Sequence, residues 1–106
     1  MTWAVYLAHF LAGLFLANAV PHFVNGISGA KFQSPFASPP GVGESSPVVN
    51  VLWGMTNLVV GWLLLFGVGE FSAGLSVDAL VVGAGILAAA IGLAVHFGRV
   101  RQPESQ

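Results

Sequence analysis

The chain has 106 residues, of which 56% are hydrophobic and 7% are charged, and its formal net charge is −1. A soluble domain carries about 25% charged residues, so a chain with so few charges could not cover its surface for water. The charge balance excludes the basic surface that binds nucleic acid. The absence of cysteine excludes disulfides, thiolate metal ligands and a cysteine nucleophile.

Three long apolar segments predict an all-α integral membrane protein with three transmembrane helices in a single domain. Each segment exceeds the roughly 20 residues that cross the hydrocarbon core of a bilayer. The segments do not alternate apolar and polar residues as strands do, so helices are the expected spanning structure. In chain order, the predicted first span, first loop, second span, third span and tail are about 2–27, 28–46, 47–68, 75–98 and 99–106.

The first segment also has one feature of a cleaved signal peptide. Ala17-Asn18-Ala19 resembles the small-residue site at which such peptides are cut. The residues before it include no Lys or Arg, and the apolar run is longer than the hydrophobic region of a signal peptide. We therefore expect the segment to be retained as a transmembrane helix.

The basic residues predict the orientation of the three spans. Lys31 lies in the first loop, while Arg99 and Arg101 lie in the tail, and three spans place this loop and this tail on one side. The connection 69–74 carries Glu70 but no basic residue. The positive-inside rule therefore predicts an external N-terminus, and a cytoplasmic first loop and C-terminus. A composition rich in glycine with one lysine favours the plasma (inner) membrane of a bacterium.

The first loop, residues 28–46, is long for a connection without secondary structure. It carries Phe32 and Phe36, whose side chains prefer burial. The favoured interpretation is an interfacial loop whose aromatic rings enter the headgroup region, and the alternative is an ordered lid against the helix ends. Ser46 followed by Pro47 predicts the start of the second helix, with serine as its N-cap.

Polar residues within the first two spans are spaced so that each set shares one helical face. Asn and His side chains recur every three or four residues in the first span, and asparagine alternates with glycine in the second. Glycine permits close approach of two helices, and amides can hydrogen bond across the contact. We therefore expect a tight antiparallel pair. The two stripes are Asn18, His22 and Asn25, and Asn50, Gly54, Asn57 and Gly61.

The third span carries small residues at four-residue intervals, a pattern that permits helix contact. This ridge consists of Ala84, Ala88 and Gly92 and ends in His96, which is predicted at the depth of His22. The favoured interpretation of the polar cluster is hydrogen bonding between helices, and the alternative is a site that a solute or ion enters. The candidate binding residues are Asn18, His22, Asn25, Asn50, Asn57 and His96.

Other kinds of site receive little support from the residues. His9, on a different face, predicts a structural hydrogen bond, with proton or cofactor chemistry as the alternative. No catalytic set is predicted, because the acidic residues fall at membrane edges. A zinc site needs three or four ligands, and His22 with His96 would supply two. No cofactor is expected, although the same two histidines could serve as axial ligands of haem. The acidic residues are Glu44, Glu70, Asp78 and Glu104.

These observations favour a small non-enzymatic protein of the lipid bilayer, acting as an accessory or assembly subunit of a larger membrane complex or as a homo-oligomer. Three helices bury little surface, and the ridge on the third has no evident partner within one chain. The first alternative is an oligomeric pore or carrier for a small solute, lined by the Asn/His stripe. The second alternative is a haem- or quinone-binding membrane protein that uses His22 and His96.

Overall fold

A computed structural model describes residues 2–101 and contains the three expected helices. All three are long and apolar enough to cross a membrane. The third helix begins and ends slightly later in the chain than the sequence predicts, and the predicted tail is described only as far as Arg101. The elements are α1 (Trp3–Ile27), β1 (Phe32–Gln33), β2 (Glu44–Ser45), α2 (Pro47–Phe66) and α3 (Val77–Arg101).

Helix α1 is the central helix, since both α2 and α3 pack along it while making little contact with each other. The predicted stripe on α2 faces α1: Asn50, Gly54, Asn57 and Gly61 are all buried. A Cβ atom on Gly54 would lie 2.7 Å from the backbone nitrogen of Phe23. The α1–α2 contact therefore brings the two backbones together at glycine, as the sequence predicts.

Helix α3 meets α1 through a different face from its predicted ridge. Asp78, Val82 and Gly85 are buried, whereas Ala84 and Ala88 are exposed. A Cβ atom on Gly85 would lie 2.1 Å from the carbonyl oxygen of Phe10, so only glycine permits this crossing. A small apolar cluster, with one residue from each helix, lies nearby and consists of Ala12, Leu65 and Val82.

The connection 28–46, hereafter the lid, folds over one end of the helices. Its two strands pair antiparallel, with Phe32 opposite Ser45. Phe32, Gln33 and Ser34 are buried, so this part of the loop is an ordered cover rather than the interfacial loop that the sequence favoured. Phe36 remains 64% exposed. We call this end of the bundle the lid end, and the end with the 67–76 connection the opposite end.

The start of α2 follows its sequence signal. Ser46 is the N-cap, and its hydroxyl oxygen accepts a hydrogen bond from the backbone N–H of Val49 at 3.2 Å. Pro47 occupies the first helical position, where the missing N–H would have no partner inside the helix. Because Asn50 lies one turn later, this cap also fixes the position of Asn50 beneath the lid.

Candidate functional site

Two side-chain pairs connect α1 to α2. The Nδ2 atom of Asn18 donates to Oδ1 of Asn57 at 2.9 Å, and Nδ1 of His22 contacts Oδ1 of Asn50 at 2.9 Å. Asn57 donates in turn to the carbonyl oxygen of Trp53, which fixes its amide with the oxygen toward Asn18. Asn18 must therefore donate in this pair, which leaves its own Oδ1 as an acceptor.

Asn50, on α2, forms hydrogen bonds to the lid and to α1. Its Nδ2 atom faces the carbonyl oxygens of Phe32, Ser45 and Ser46 at 3.1, 3.2 and 3.1 Å. The amide oxygen of Asn50 consequently points to His22 and accepts from its Nδ1–H. In the neutral form of His22, the remaining nitrogen, Nε2, then carries a lone pair and is an acceptor.

Aromatic rings enclose the His22 side chain, which is only 3% exposed. Its ring centroid lies 5.4 Å from that of Phe32, 6.2 Å from that of Phe97 and 6.4 Å from that of Trp53, each in an edge-to-face arrangement. Arg101 stacks over Phe32, with its guanidinium carbon 5.0 Å from the ring centroid. The imidazole is therefore held in an apolar shell, with the lid supplying one wall.

A cavity of about 170 Å³ lies beside this histidine, beneath the lid. We call it the chamber. Two buried polar atoms of its lining residues, Oε1 of Gln33 and Nε1 of Trp53, have no hydrogen-bond partner among residues 2–101. Unpaired buried polar atoms are rare in folded proteins, so two on residues that line one cavity mark it as a candidate binding site. The lining residues that matter here are Asn18, His22, Gln33, Trp53, His96 and Phe97.

The structure places the six predicted site residues in different roles. Asn18, His22 and His96 line the chamber, whereas Asn50 and Asn57 orient them or their neighbours from behind. Asn25 bonds within its own helix, donating to the carbonyl oxygen of Pro21 at 2.7 Å, and does not line the chamber.

Sequence reasoning missed Gln33 and Trp53 as lining residues. Trp53 lies three residues after Asn50 and four before Asn57, so the helical period of the stripe already placed it beside the same face. Gln33 had no comparable signal, because its position depends on how the lid folds.

The haem interpretation of His22 and His96 does not fit this arrangement. Nε2 of His96 donates to the carbonyl oxygen of Gly41 at 2.7 Å, so this nitrogen has no free lone pair for iron. The chamber is also smaller than the roughly 300–1,000 Å³ of pockets for drug-sized ligands, and haem is larger still. Within residues 2–101, no three His, Asp or Glu side chains are grouped to hold a metal ion.

A second polar centre lies at the opposite end. His9 and Asp78 are 0% and 3% exposed, and Nδ1 of His9 lies 2.6 Å from Oδ1 of Asp78. Nε2 of His9 donates to the carbonyl oxygen of Val68 at 2.7 Å, and Oδ2 of Asp78 accepts from the backbone N–H of Ser72. The expected hydrogen bonding of His9 is confirmed. The sequence placed Asp78 at a membrane edge and did not predict that its side chain is buried.

A groove of about 480 Å³ opens between α2 and α3, because these helices leave one side of α1 uncovered. Its walls are apolar, and the bonded amides of Asn18 and Asn57 also line it. Asn18 lines both the chamber and the groove, so its side chain lies where the two spaces approach each other. The apolar walls include Leu11, Leu14, Phe15 and Leu93.

The chain matches no protein-family model, no curated protein and no solved structure. Its function is therefore inferred from the geometry of the chamber and the groove.

Replacing Asn50 by leucine is expected to loosen the lid. The change removes the donor shared by three lid-end carbonyls and the acceptor for His22, and each buried group left unpaired costs about 1–3 kcal/mol. Hydrogen exchange at the backbone amide of Ser34 in nanodiscs should accelerate at least tenfold. Thr56→Val, on the exposed face of α2, is the control and should leave this exchange unchanged. Equal lid exchange in both variants would contradict the role of Asn50.

Proposed function

We propose that this is a multi-pass integral membrane protein that binds a small polar solute in the chamber and acts as a carrier for it. Its three helices present large apolar side chains to their surroundings, and lipid is the solvent that favours such a surface. Among the exposed side chains on α2 and α3 are Trp62, Leu63, Leu80 and Leu87.

The distribution of charge supports an orientation for the protein. Lys31, Arg99 and Arg101 lie at the lid end together with Glu44, while the opposite end carries Glu70 and Asp78 and, among residues 2–101, no Lys or Arg. Because basic residues are retained on the cytoplasmic side, we infer that the lid faces the cytoplasm and the N-terminus faces outward. On this inference the protein belongs to the cell membrane, and its composition favours a bacterial one.

Single cysteines test this topology cleanly, since the native chain has none. A membrane-impermeant maleimide added to intact cells should label Ala73→Cys, at the opposite end, and should spare Ser28→Cys, at the lid end. Permeabilised cells should show labelling of both, and the native protein of neither. Labelling of Ser28→Cys alone in intact cells would reverse the orientation, and labelling of both would contradict the three-span insertion.

The observation that carries the binding function is the pair of unpartnered buried atoms, Oε1 of Gln33 and Nε1 of Trp53, on residues that line one cavity. A buried polar atom without a partner costs about 1–3 kcal/mol. Helix interfaces that serve only to hold a bundle together satisfy their polar atoms within the protein, as the amide of Asn57 does here by accepting from Asn18 and donating to the carbonyl oxygen of Trp53. A bound solute would satisfy the two atoms that the fold leaves unpaired.

The position of Asn18 supports transport in addition to binding. The chamber lies at the lid end, and the groove extends from Asn18 along α1 past Leu14 and Leu11. Seven residues of helix span about 10 Å, so the two spaces together follow a substantial part of the length of α1.

Flux into proteoliposomes tests the carrier function. Radiolabelled small polar solutes should enter vesicles containing the native protein at least tenfold faster than empty vesicles. His22→Leu, which removes an acceptor from the chamber wall, should lose most of this flux, whereas Thr56→Val should retain it. If no solute enters faster than it enters empty vesicles, the carrier function is wrong.

A second candidate function, self-association or service as an accessory subunit, is favoured by the open side of the groove. Neither α2 nor α3 closes it, and the small residues Ala84 and Ala88 are exposed on α3. A neighbouring helix could approach closely at such residues and supply the missing wall. Ala88→Cys should then form disulfide-linked dimers in membranes, and blue-native electrophoresis in mild detergent should show an oligomer. A monomer in both experiments would remove this candidate.

A further inference from the structure

The hydrogen-bonding atoms of the chamber specify the kind of solute that it can hold. Nε2 of neutral His22 is an acceptor, because Nδ1 of the same ring carries the proton that is donated to Asn50. Oδ1 of Asn18 is an acceptor, because Nδ2 of the same amide donates to Asn57, whose own orientation is fixed by Trp53. Nε1 of Trp53 can only donate. Gln33 presents an amide whose oxygen has no partner within residues 2–101. A molecule that satisfies this set must both donate and accept hydrogen bonds.

The charge of the lining residues specifies an uncharged solute. Within the described chain, no Asp, Glu, Lys or Arg lines the chamber. The guanidinium of Arg101 lies over the ring of Phe32, and Arg101 is not among the residues that line the chamber. Transfer of an ion into such a site without a counter-ion is strongly unfavourable, so ammonium, guanidinium and carboxylate ions are poor candidates.

The shape and size of the chamber limit further which uncharged solutes it can hold. A volume of about 170 Å³ accommodates a molecule of a few heavy atoms. The rings of Phe97 and Trp53 supply flat apolar walls suited to a planar group. A primary amide is planar, and it can pair with the amide of Gln33 through two antiparallel N–H···O bonds.

Building on the proposed function, we propose that the chamber binds a small uncharged amide or urea. The carbonyl oxygen of the solute accepts from Nε1–H of Trp53 or from the amide of Gln33. Its N–H groups donate to Nε2 of His22, Oδ1 of Asn18 and Oε1 of Gln33. The side chains of Gln33 and Trp53 turn toward the solute, so that each of the two polar atoms that the fold leaves unpaired gains a partner, and no charge is buried.

Two isosteric pairs of solutes test this inference, because each pair differs mainly in charge. The full chain, labelled with ¹⁵N in nanodiscs, is titrated with urea and guanidinium, and separately with acetamide and acetate. The indole N–H signal of Trp53, assigned with Trp53→Phe, should shift saturably with urea and acetamide but not with the two ions. The indole of Trp62 is 60% exposed and serves as an internal control that should not saturate.

Gln33→Met keeps the length of the side chain but removes its amide, whose oxygen makes no hydrogen bond among residues 2–101. The variant should therefore fold, and its affinity for acetamide should fall about tenfold or more, while that of Thr56→Val stays unchanged. Equal affinity in Gln33→Met and the native protein would overturn the inference.

The outcomes separate this inference from the proposed function. If glycerol or another uncharged solute shifts the Trp53 signal saturably and neither urea nor acetamide does, the carrier function stands and the amide class is wrong. If the ions bind as tightly as their uncharged isosteres, the class is also wrong. If no solute shifts the signal and none enters proteoliposomes, both fail, and the chamber holds water only.

Discussion

Replacing Gly85 by valine should separate α3 from α1 and destabilise the protein by about 3 kcal/mol or more. A Cβ atom at this position would lie 2.1 Å from the carbonyl oxygen of Phe10, and one on Gly13 would lie 2.3 Å from that of Val82. Overpacking usually costs about 1–3 kcal/mol when side chains can adjust. Here the obstructing atoms belong to the backbone, so a helix must move, and the cost should reach or exceed that range.

Gly83 provides a matched control on the same helix. A Cβ atom there meets nothing within 4 Å in the described structure, so Gly83→Ala should be neutral or stabilising by up to about 1 kcal/mol. Thermal denaturation in mild detergent should show a large fall in midpoint for Gly85→Val and none for Gly83→Ala. Similar midpoints for the two variants would show that α3 does not cross α1 at Gly85.

The α1–α2 contact was predictable because its information is local and periodic. Amides and glycines are conspicuous in an apolar helix, and their three- and four-residue spacing defines one face without reference to any other segment. The burial of Asn50 and Asn57 and the Asn18–Asn57 hydrogen bond follow directly from that pattern.

The facing of α3 was not predictable from small residues alone. Every residue of α3 between Asp78 and His96 is small or apolar, so several faces satisfy the same pattern. The contact that selects one face is that between His9 and Asp78, which are 69 residues apart in the chain. Counting from Asp78 in steps of four and three gives Val82 and Gly85, the buried face.

The chamber was only partly predictable from the sequence, because the docking of the lid leaves no side-chain pattern. The sequence predicted His22 and His96 at one depth and Asn18 on the same face as His22, but the lid is held largely by backbone carbonyls that accept from Asn50. Every residue carries such a carbonyl, so no side-chain pattern marks the ones that are used. Gln33 enters the chamber as a consequence of that docking.

Replacing His9 by leucine should destabilise the protein by about 3–5 kcal/mol, the usual cost of breaking a buried pair from one side. Val68 offers only a carbonyl oxygen to Nε2, so that nitrogen must carry a proton. The 2.6 Å contact between Nδ1 and Asp78 then holds one further proton, on nitrogen or on oxygen. The pair is neutral overall in either arrangement, whereas Asp78 alone would be a buried acid without its partner.

Removing both partners should be less harmful than removing one. In His9→Leu/Asp78→Leu, no charge is left buried, and leucine restores apolar contact between α1 and α3. Asp78→Asn is the conservative comparison, because its amide can donate to Nδ1 while Nε2–H still reaches Val68. Denaturation midpoints of the single and double variants form a thermodynamic cycle. We expect the double variant to be more stable than His9→Leu, so strictly additive losses would refute a coupled, net-neutral pair.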